Sequence, residues 1–292
     1  MIDHARETIR RAALRRQLDG IVAGSDTRLN AKLAASGADA AAVVAEVARP
    51  LQIDSPQLER LTAAFQESGA SNAVIAALTG GKVELRLAGC RTAGALRIES
   101  AVPYLVPLLR SKDHRTSTAA ANALGRIGGT RSADALLTAM QRSGLRRSFV
   151  AALARGAPDL YVETALCASR RQGELGAVAL AAGLRRRRTA VGPLLALLES
   201  GTRRQRAICC HALASIKADA AVPSVANALF DGHWSVRLAA VKCLTAMRAT
   251  SQFDQIEVLV QDPDLRVRRA ARRSLRRLGN LMVRKVGLRG WL

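Results

Sequence analysis

The sequence predicts an all-α solenoid of stacked two-helix hairpins behind an N-terminal helical cap, and three observations predict it. Equivalent residues recur at a spacing of 31 over 190–279: Val191 and Val222 open first helices, Leu213, Leu244 and Leu275 close second helices, and Arg206, Arg237 and Arg268 stand in register between them. Within each helix the apolar residues fall at i, i+3, i+4 and i+7, which gathers them on one helical face. The composition is 49% hydrophobic and only 3% aromatic, much of the apolar part is Ala, and alternating β-branched runs do not occur. Such a composition favours helix throughout. A fixed period of about 30 residues marks a chain in which each unit buries its apolar face only against its neighbours.

Taken in order, residues 3–20 read as a basic amphipathic helix carrying Arg6, Arg10, Arg11, Arg15 and Arg16 and ending at Gly20. Asp26 is placed to cap a helix through Leu33, and Asp39 another from Ala40 to Ala48, before Pro50. Asp54 starts a third, with Pro56 in its first turn and Gln57 set to complete a capping box. These helices do not follow the repeat, so residues 1–70 are read as a cap or spacer that shields the first core edge.

Residues 71–279 hold about seven hairpins of ~30 residues, degenerate near 133–189. First helices carry Val102, Leu105, Val106 and Leu109, then Val191, Leu194, Leu195 and Leu198, then Val222, Val225, Ala226 and Leu229. Pro103 and Pro223 sit in first turns, where a missing N–H costs nothing. Second helices carry Val236, Ala239, Ala240, Cys243, Leu244 and Met247, then Val267, Ala270, Ala271, Ser274, Leu275 and Leu278. The paired small residues allow close helix approach. Gly128, Gly129 and Gly279 are expected to end helices in the left-handed conformation. The basic tail 280–292, with Arg284, Lys285, Arg289 and a terminal Trp291-Leu292, is left either folding back as a cap or mobile.

The net charge is +22, and 39 of the 45 basic residues are Arg. Arg and Ala enrichment fits either an anionic partner or the base composition of the coding DNA, and both readings stay open; either way the field draws polyanions at low salt. The five cysteines contain no CxxC pair, and most of them read as small apolar residues on helices, in a reduced, cytoplasmic setting. No apolar run is long enough to span a bilayer, and the basic N-terminus lacks the apolar stretch of a secretory signal.

The stretches "AAANALGRIGGT", "SADALLTAM" and "AVPSVANALFDGHWSVRLAAVKCLTAM" resemble HEAT repeats, in particular the short type of the phycobilisome lyases. That resemblance spans about 71–279. It implies a right-handed HEAT/armadillo-like superhelix whose second helices line a concave inner side, and it implies a binding surface more than any one activity. Three enzyme types share the architecture. Deoxyhypusine hydroxylases bind iron through repeated His-Glu pairs, whereas His4, His114, His211 and His233 are followed by Ala, Arg, Ala and Trp. Alkylpurine DNA glycosylases need a cleft Asp, an Arg and several Trp, and here Trp234 alone lies within the repeats. A bilin lyase would show a chromophore signature, which is lacking. Many bacterial HEAT-repeat proteins place a basic helix and spacer after a membrane anchor, so a peripheral place at the inner membrane face is kept as an alternative.

Outward positions of the second helices are read as Arg203, Ala207, Cys210 and Ala214, then Trp234, Leu238, Val241 and Thr245, then Leu265, Arg269, Arg272 and Arg276. Trp and Arg are common interface anchors. Trp234, Leu238, Val241, Arg269, Arg272 and Arg276 are therefore the expected protein-binding residues. Arg185, Arg186, Arg187 and Arg188 form either an anion site or a solvated loop. Arg206, Arg237 and Arg268, with Asp231 and Asp262, are expected to form an ion-pair ladder between units. No catalytic set, cofactor, metal site or small-molecule substrate is expected. The function expected is a non-enzymatic scaffold for a partner with an acidic surface; the alternatives are sequence-independent nucleic-acid binding, an anionic membrane surface, or a phycobilin-lyase-like modifying protein.

Overall fold

A computed structural model describes residues 2–26, 28–34, 37–167 and 174–289. Among these residues every regular element is a helix, and the helices form two compact units, residues 1–157 and 158–292.

The first unit contains α1 (Ile2–Ala23), α2 (Ala31–Ala34), α3 (Ala38–Ala48), α4 (Pro56–Glu67) and α5 (Ala70–Thr79). It continues with α6 (Val83–Ala95), α7 (Val102–Leu108), α8 (His114–Ile127), α9 (Gly129–Ser143) and α10 (Arg147–Gly156). Hairpins α5/α6, α7/α8 and α9/α10 stack so that α6 packs on α8 and α8 on α10. The row of second helices begins earlier than residue 71, because α3 packs on α6 in the same way. Helix α1 lies against α3 and α4, and Leu14, Leu18 and Ile21 are buried.

The second unit contains α11 (Asp159–Cys167), α12 (Leu175–Leu184), α13 (Val191–Ser200) and α14 (Arg203–Ile216). After these come α15 (Val222–Asn227), α16 (Trp234–Ala246), α17 (Phe253–Val258) and α18 (Leu265–Arg289). Its second helices stack as α12 on α14, α14 on α16 and α16 on α18. Val191 and Val222 do open α13 and α15, each after a 3-10 turn, and Pro103 and Pro223 sit in first turns. The core stripes hold: Leu194, Leu198, Val225, Leu229, Val236, Ala240, Leu244, Val267, Ala271 and Leu278 are all buried.

Several helix ends differ from the sequence reading. Helix α1 runs through Gly20 to Ala23, and Gly24, at φ 80°, takes the left-handed conformation. Asp26 accepts a bond from the Arg28 amide, and Asn30 caps the short α2 through the Leu33 amide. Asp39 lies inside the first turn of α3, and Ser55 replaces Asp54 as the cap of α4. The capping box forms at Thr202 and Gln205 instead.

Gly128 does end α8 at φ 77°, and Gly129, at φ 79°, begins α9. Helix α18 passes straight through Gly279, however, and carries the tail as helix to Arg289. Elsewhere the left-handed position is filled by Arg97, Arg186, Lys217 and Arg248, with φ between 51° and 58°. Amide-to-carbonyl bonds from Ile98 to Ala93, Arg187 to Ala182, Ala218 to Leu213 and Ala249 to Leu244 close these four ends as Schellman turns. The step between equivalent ends is 31 from Arg97 to Gly128 and from Arg186 to Lys217 to Arg248, but Gly128 and Arg186 are 58 apart. Two repeats of 29 fill that interval, which is why the period fades near 133–189.

Candidate functional site

Successive second helices approach closely because one position on each is small. An added Cβ would meet the backbone of Ala123 at 2.8 Å from Gly94, of Ala152 at 2.7 Å from Gly125, and of Ala212 at 2.8 Å from Gly183. This lateral packing buries more of each second helix than the core face alone, and it moves the outward row by one residue from the expected one. Cys210 is 0% and Val241 1% exposed, pressed beside the adjacent helix and not outward. The exposed row on α14 is Arg203, Arg204, His211 and Ser215, and on α16 it includes Lys242 and Ala246. On α18, Arg266, Arg269, Arg272, Arg273, Arg276 and Arg277 are exposed.

Trp234 and Leu238 are half-buried. The Trp234 ring carries the Arg266 guanidinium 3.3 Å from its centroid, and Asp264 holds that guanidinium at 2.8 Å. One face of the ring is therefore taken from within the chain, and Arg269, Arg272 and Arg276 lie further round α18 from this stack. The four loop arginines do not converge: Arg186 is the left-handed residue, Arg187 turns inward to Asp159 at 2.9 Å, and Arg185 and Arg188 face solvent.

The ladder is present. Arg206 grips Asp231 with two bonds at 2.8 and 3.0 Å, and Arg237 grips Asp262 at 2.7 and 2.9 Å. Each also donates to a backbone carbonyl, of Gly201 and Asp231 respectively. Arg268, at the end of the row, donates to the carbonyls of Asp262 and Pro263. The bond from Arg237 holds the Asp262 carboxyl below its ordinary range. At Asp231 burial pushes upward, but the bonds from Arg206 and His233 more than offset it and the net direction is down.

Two grooves on the outward sides of second helices concentrate the unpaired charge, one within each unit. The groove between α16 and α18 has a volume of about 470 Å³ and is lined by Val241, Lys242, Thr245, Ala246, Ala270, Arg273, Ser274 and Arg277. The groove in the first unit, about 360 Å³, collects Arg49 from the end of α3, Arg91 from α6, Arg126 from α8 and Arg155 from α10. Neither lining contains a carboxylate. By contrast, the pocket beside α1 mixes Arg6, Arg10 and Arg11 with Glu7 and Asp39.

The four-arginine groove was not visible in the sequence. Arg126 and Arg155 occupy one position in adjacent hairpins, but 29 residues apart, and Arg49 comes from a helix outside the repeat pattern. The missed signal was the shortened period.

Among the described residues no group of three or more His, Cys, Asp or Glu stands together to hold a metal. Cys90, Cys209, Cys210 and Cys243 are buried and Cys167 is exposed. Burial pushes the Cys90, Cys209 and Cys210 thiols up to about 12, away from nucleophilic use. Among the described residues no helix is long and apolar enough to cross a membrane.

Comparison with known proteins gives a match to the HEAT-repeat family over residues 71–154 and 222–285, together just over half of the chain. No curated protein matches by sequence. Among solved structures, human deoxyhypusine hydroxylase in complex with glycerol is 17% identical, with 92% of this chain and 98% of that chain covered and a TM-score of 0.38. An engineered protein from a structural genomics consortium is 19% identical, with 90% and 78% covered and a TM-score of 0.37.

Proposed function

The chain belongs to the HEAT-repeat family, and we propose that it is a non-catalytic scaffold that holds an acidic protein segment against the outward side of its second helices. One observation carries the reading: both grooves on that side are lined by basic residues and small or apolar residues, with no carboxylate in either lining. Solenoids of this kind use such surfaces to hold extended partners. Mixed lining suits a peptide, whose acidic side chains meet guanidinium forks while its apolar ones cover Ala119, Ala246 and Ala270. A nucleic-acid strand would favour aromatic platforms for its bases. On the second helices of the HEAT-matched regions Phe149 is fully buried, and Arg266 already stacks on the Trp234 ring. Arg269, Arg272 and Arg276 add to the attracting field.

The test is fluorescence polarisation with a labelled peptide of alternating Glu and Leu, beside single-stranded and duplex DNA, at two salt concentrations. The proposal expects the peptide to bind and Arg273→Glu with Arg277→Glu to weaken it about tenfold or more. Strong DNA binding with a steep salt dependence, and no peptide binding, would instead establish the phosphate-backbone reading.

A further inference from the structure

The four-arginine groove of the first unit has a chemistry more specific than general basic charge. Arg49, Arg91, Arg126 and Arg155 arrive from four helices, and their guanidinium groups make no hydrogen bond or ion pair with any described residue. The acidic residues that could have met them are engaged elsewhere. Glu46, on the same helix as Ala45, is held by Arg15 at 3.3 Å, Glu84 by Arg115 at 3.2 Å, and Asp113 caps α8. Arg126 is half-buried, and burial, followed by the charges of Arg155 and Arg49, lowers its pKa. Arg49, Arg126 and Arg155 sit at helix C-terminal ends, whose partial negative charge helps hold them there. Those dipoles leave the donor forks open.

We propose that this groove binds a phosphate monoester dianion. A phosphate monoester carries about −1.5 to −2 charge at pH 7 and three strong acceptor oxygens, so one group can take forks from several arginines at once. A single carboxylate, with one charge and two oxygens, satisfies one fork and leaves the others repelling each other. The rest of the lining, Ala45, Leu87, Cys90, Ala119 and Ala123, is apolar and forms the floor for the carbon body of the ester. Asn122 adds a neutral polar contact. The ester is either a phosphorylated side chain on a protein or a small phosphorylated molecule; both present the same group to the arginines. The inference does not depend on the acidic-segment reading, since an unphosphorylated peptide can fail while this site stands.

The experiment is calorimetric titration of the full chain at a fixed ionic strength of about 0.15 M. Its ligands are phenyl phosphate, benzoate as a monoanion of similar body, and a serine peptide with and without phosphate. Phenyl phosphate should bind at least about tenfold more tightly than benzoate, and its affinity should fall as the pH drops below about 6, where the dianion is lost. Arg126→Gln and Arg155→Gln should each weaken it by about tenfold or more, while Arg142→Gln, at an exposed position on α9 outside the groove, leaves it unchanged. Arg126→Gln removes a repulsion and should fold at least as well, which circular dichroism checks. A phosphopeptide that outbinds phenyl phosphate identifies a protein-borne group, and the reverse order a small molecule; both support the site. Equal binding of phenyl phosphate and benzoate, or full affinity in both glutamine variants, overturns it.

Discussion

Arginines at one position of the hairpin have opposite fates in the two units. In the second unit Arg206 and Arg237 each find an aspartate 25 residues on, Asp231 and Asp262, at the turn before the next second helix. In the first unit Arg86 holds the equivalent place on α6, donating to the carbonyls of Gly80 and Gly81. The residue 25 further on is Ser111, and the buried Arg86 Nε has no hydrogen-bond partner. Both units use the arginine to tie down the loop before its own helix. The second unit adds a bond between neighbouring hairpins. Arg206 and Arg237 are thus neutralised within the chain, while the first unit keeps arginines without counter-charges and gathers four of them in one groove.

The largest effect should come from breaking the ladder where it is driest. The Arg237 and Asp262 side chains are 14% and 2% exposed, against 25% and 12% for Arg206 and Asp231. Asp262→Ala should cost roughly 3 kcal/mol in urea unfolding, the low end for a broken buried pair, because Arg237 keeps the Asp231 carbonyl. Asp231→Ala should cost less. The pH dependence has a fixed sign. Asp262 titrates below its unfolded value, so its contribution is present above the ordinary carboxylate range and is lost as pH falls through the lowered folded pKa. Asp262→Asn should flatten the acid limb of the stability curve; an unchanged limb would remove the pair from the account.

The complementary change builds the missing rung. Ser111 already accepts the Asp113 amide, as Asp231 accepts that of His233. Ser111→Asp should therefore keep the turn, meet the Arg86 Nε and stabilise the chain by about 1 kcal/mol. No gain would mean that the hairpins of the first unit do not share the geometry of the second.

Trp234 tests whether the second unit also satisfies its exposed arginines internally. With Arg266 stacked on the ring, Trp234→Ala should cost about 1 kcal/mol of stability and leave affinity for the Glu-Leu peptide unchanged. Lost affinity at unchanged stability would return the ring to the binding surface.

The sequence carried the architecture further than the site, for a geometric reason. A 31-residue period names equivalent residues, so the stripes, the proline-opened helices and the Arg-Asp ladder could be read by counting. Outwardness could not. Cys210 and Val241 lie off the core stripe by angle, but the near-contact of second helices at Gly94, Gly125 and Gly183 widens the buried arc and takes them in. The Trp234 and Arg266 stack joins different repeats through a rotamer, and the four-arginine groove draws on α3 and on the 29-residue step from Arg126 to Arg155, where counting by 31 fails.

The smallest effects test the helix ends, where one register position is used in two ways. Lys217 and Arg248 hold the left-handed conformation that favours glycine, whereas Gly279, 31 residues beyond Arg248, lies inside the continuous α18. A basic side chain in the left-handed region is strained, and part of that strain is offset by its charge at the helix C-terminus. Lys217→Gly and Arg248→Gly should each stabilise by about 0.5 kcal/mol, the strain relieved less the dipole contact and the added freedom of the unfolded chain. Gly279→Ala should stabilise by a similar amount, about 0.5 kcal/mol, because there the helix interior favours alanine. The added methyl meets Phe253 at 3.9 Å, an ordinary contact. Thermal unfolding of the three variants reads the signs. A destabilised Gly279→Ala would show that the last hairpin ends in a left-handed turn, as the others of its unit do, and that the helix stops short of Arg289.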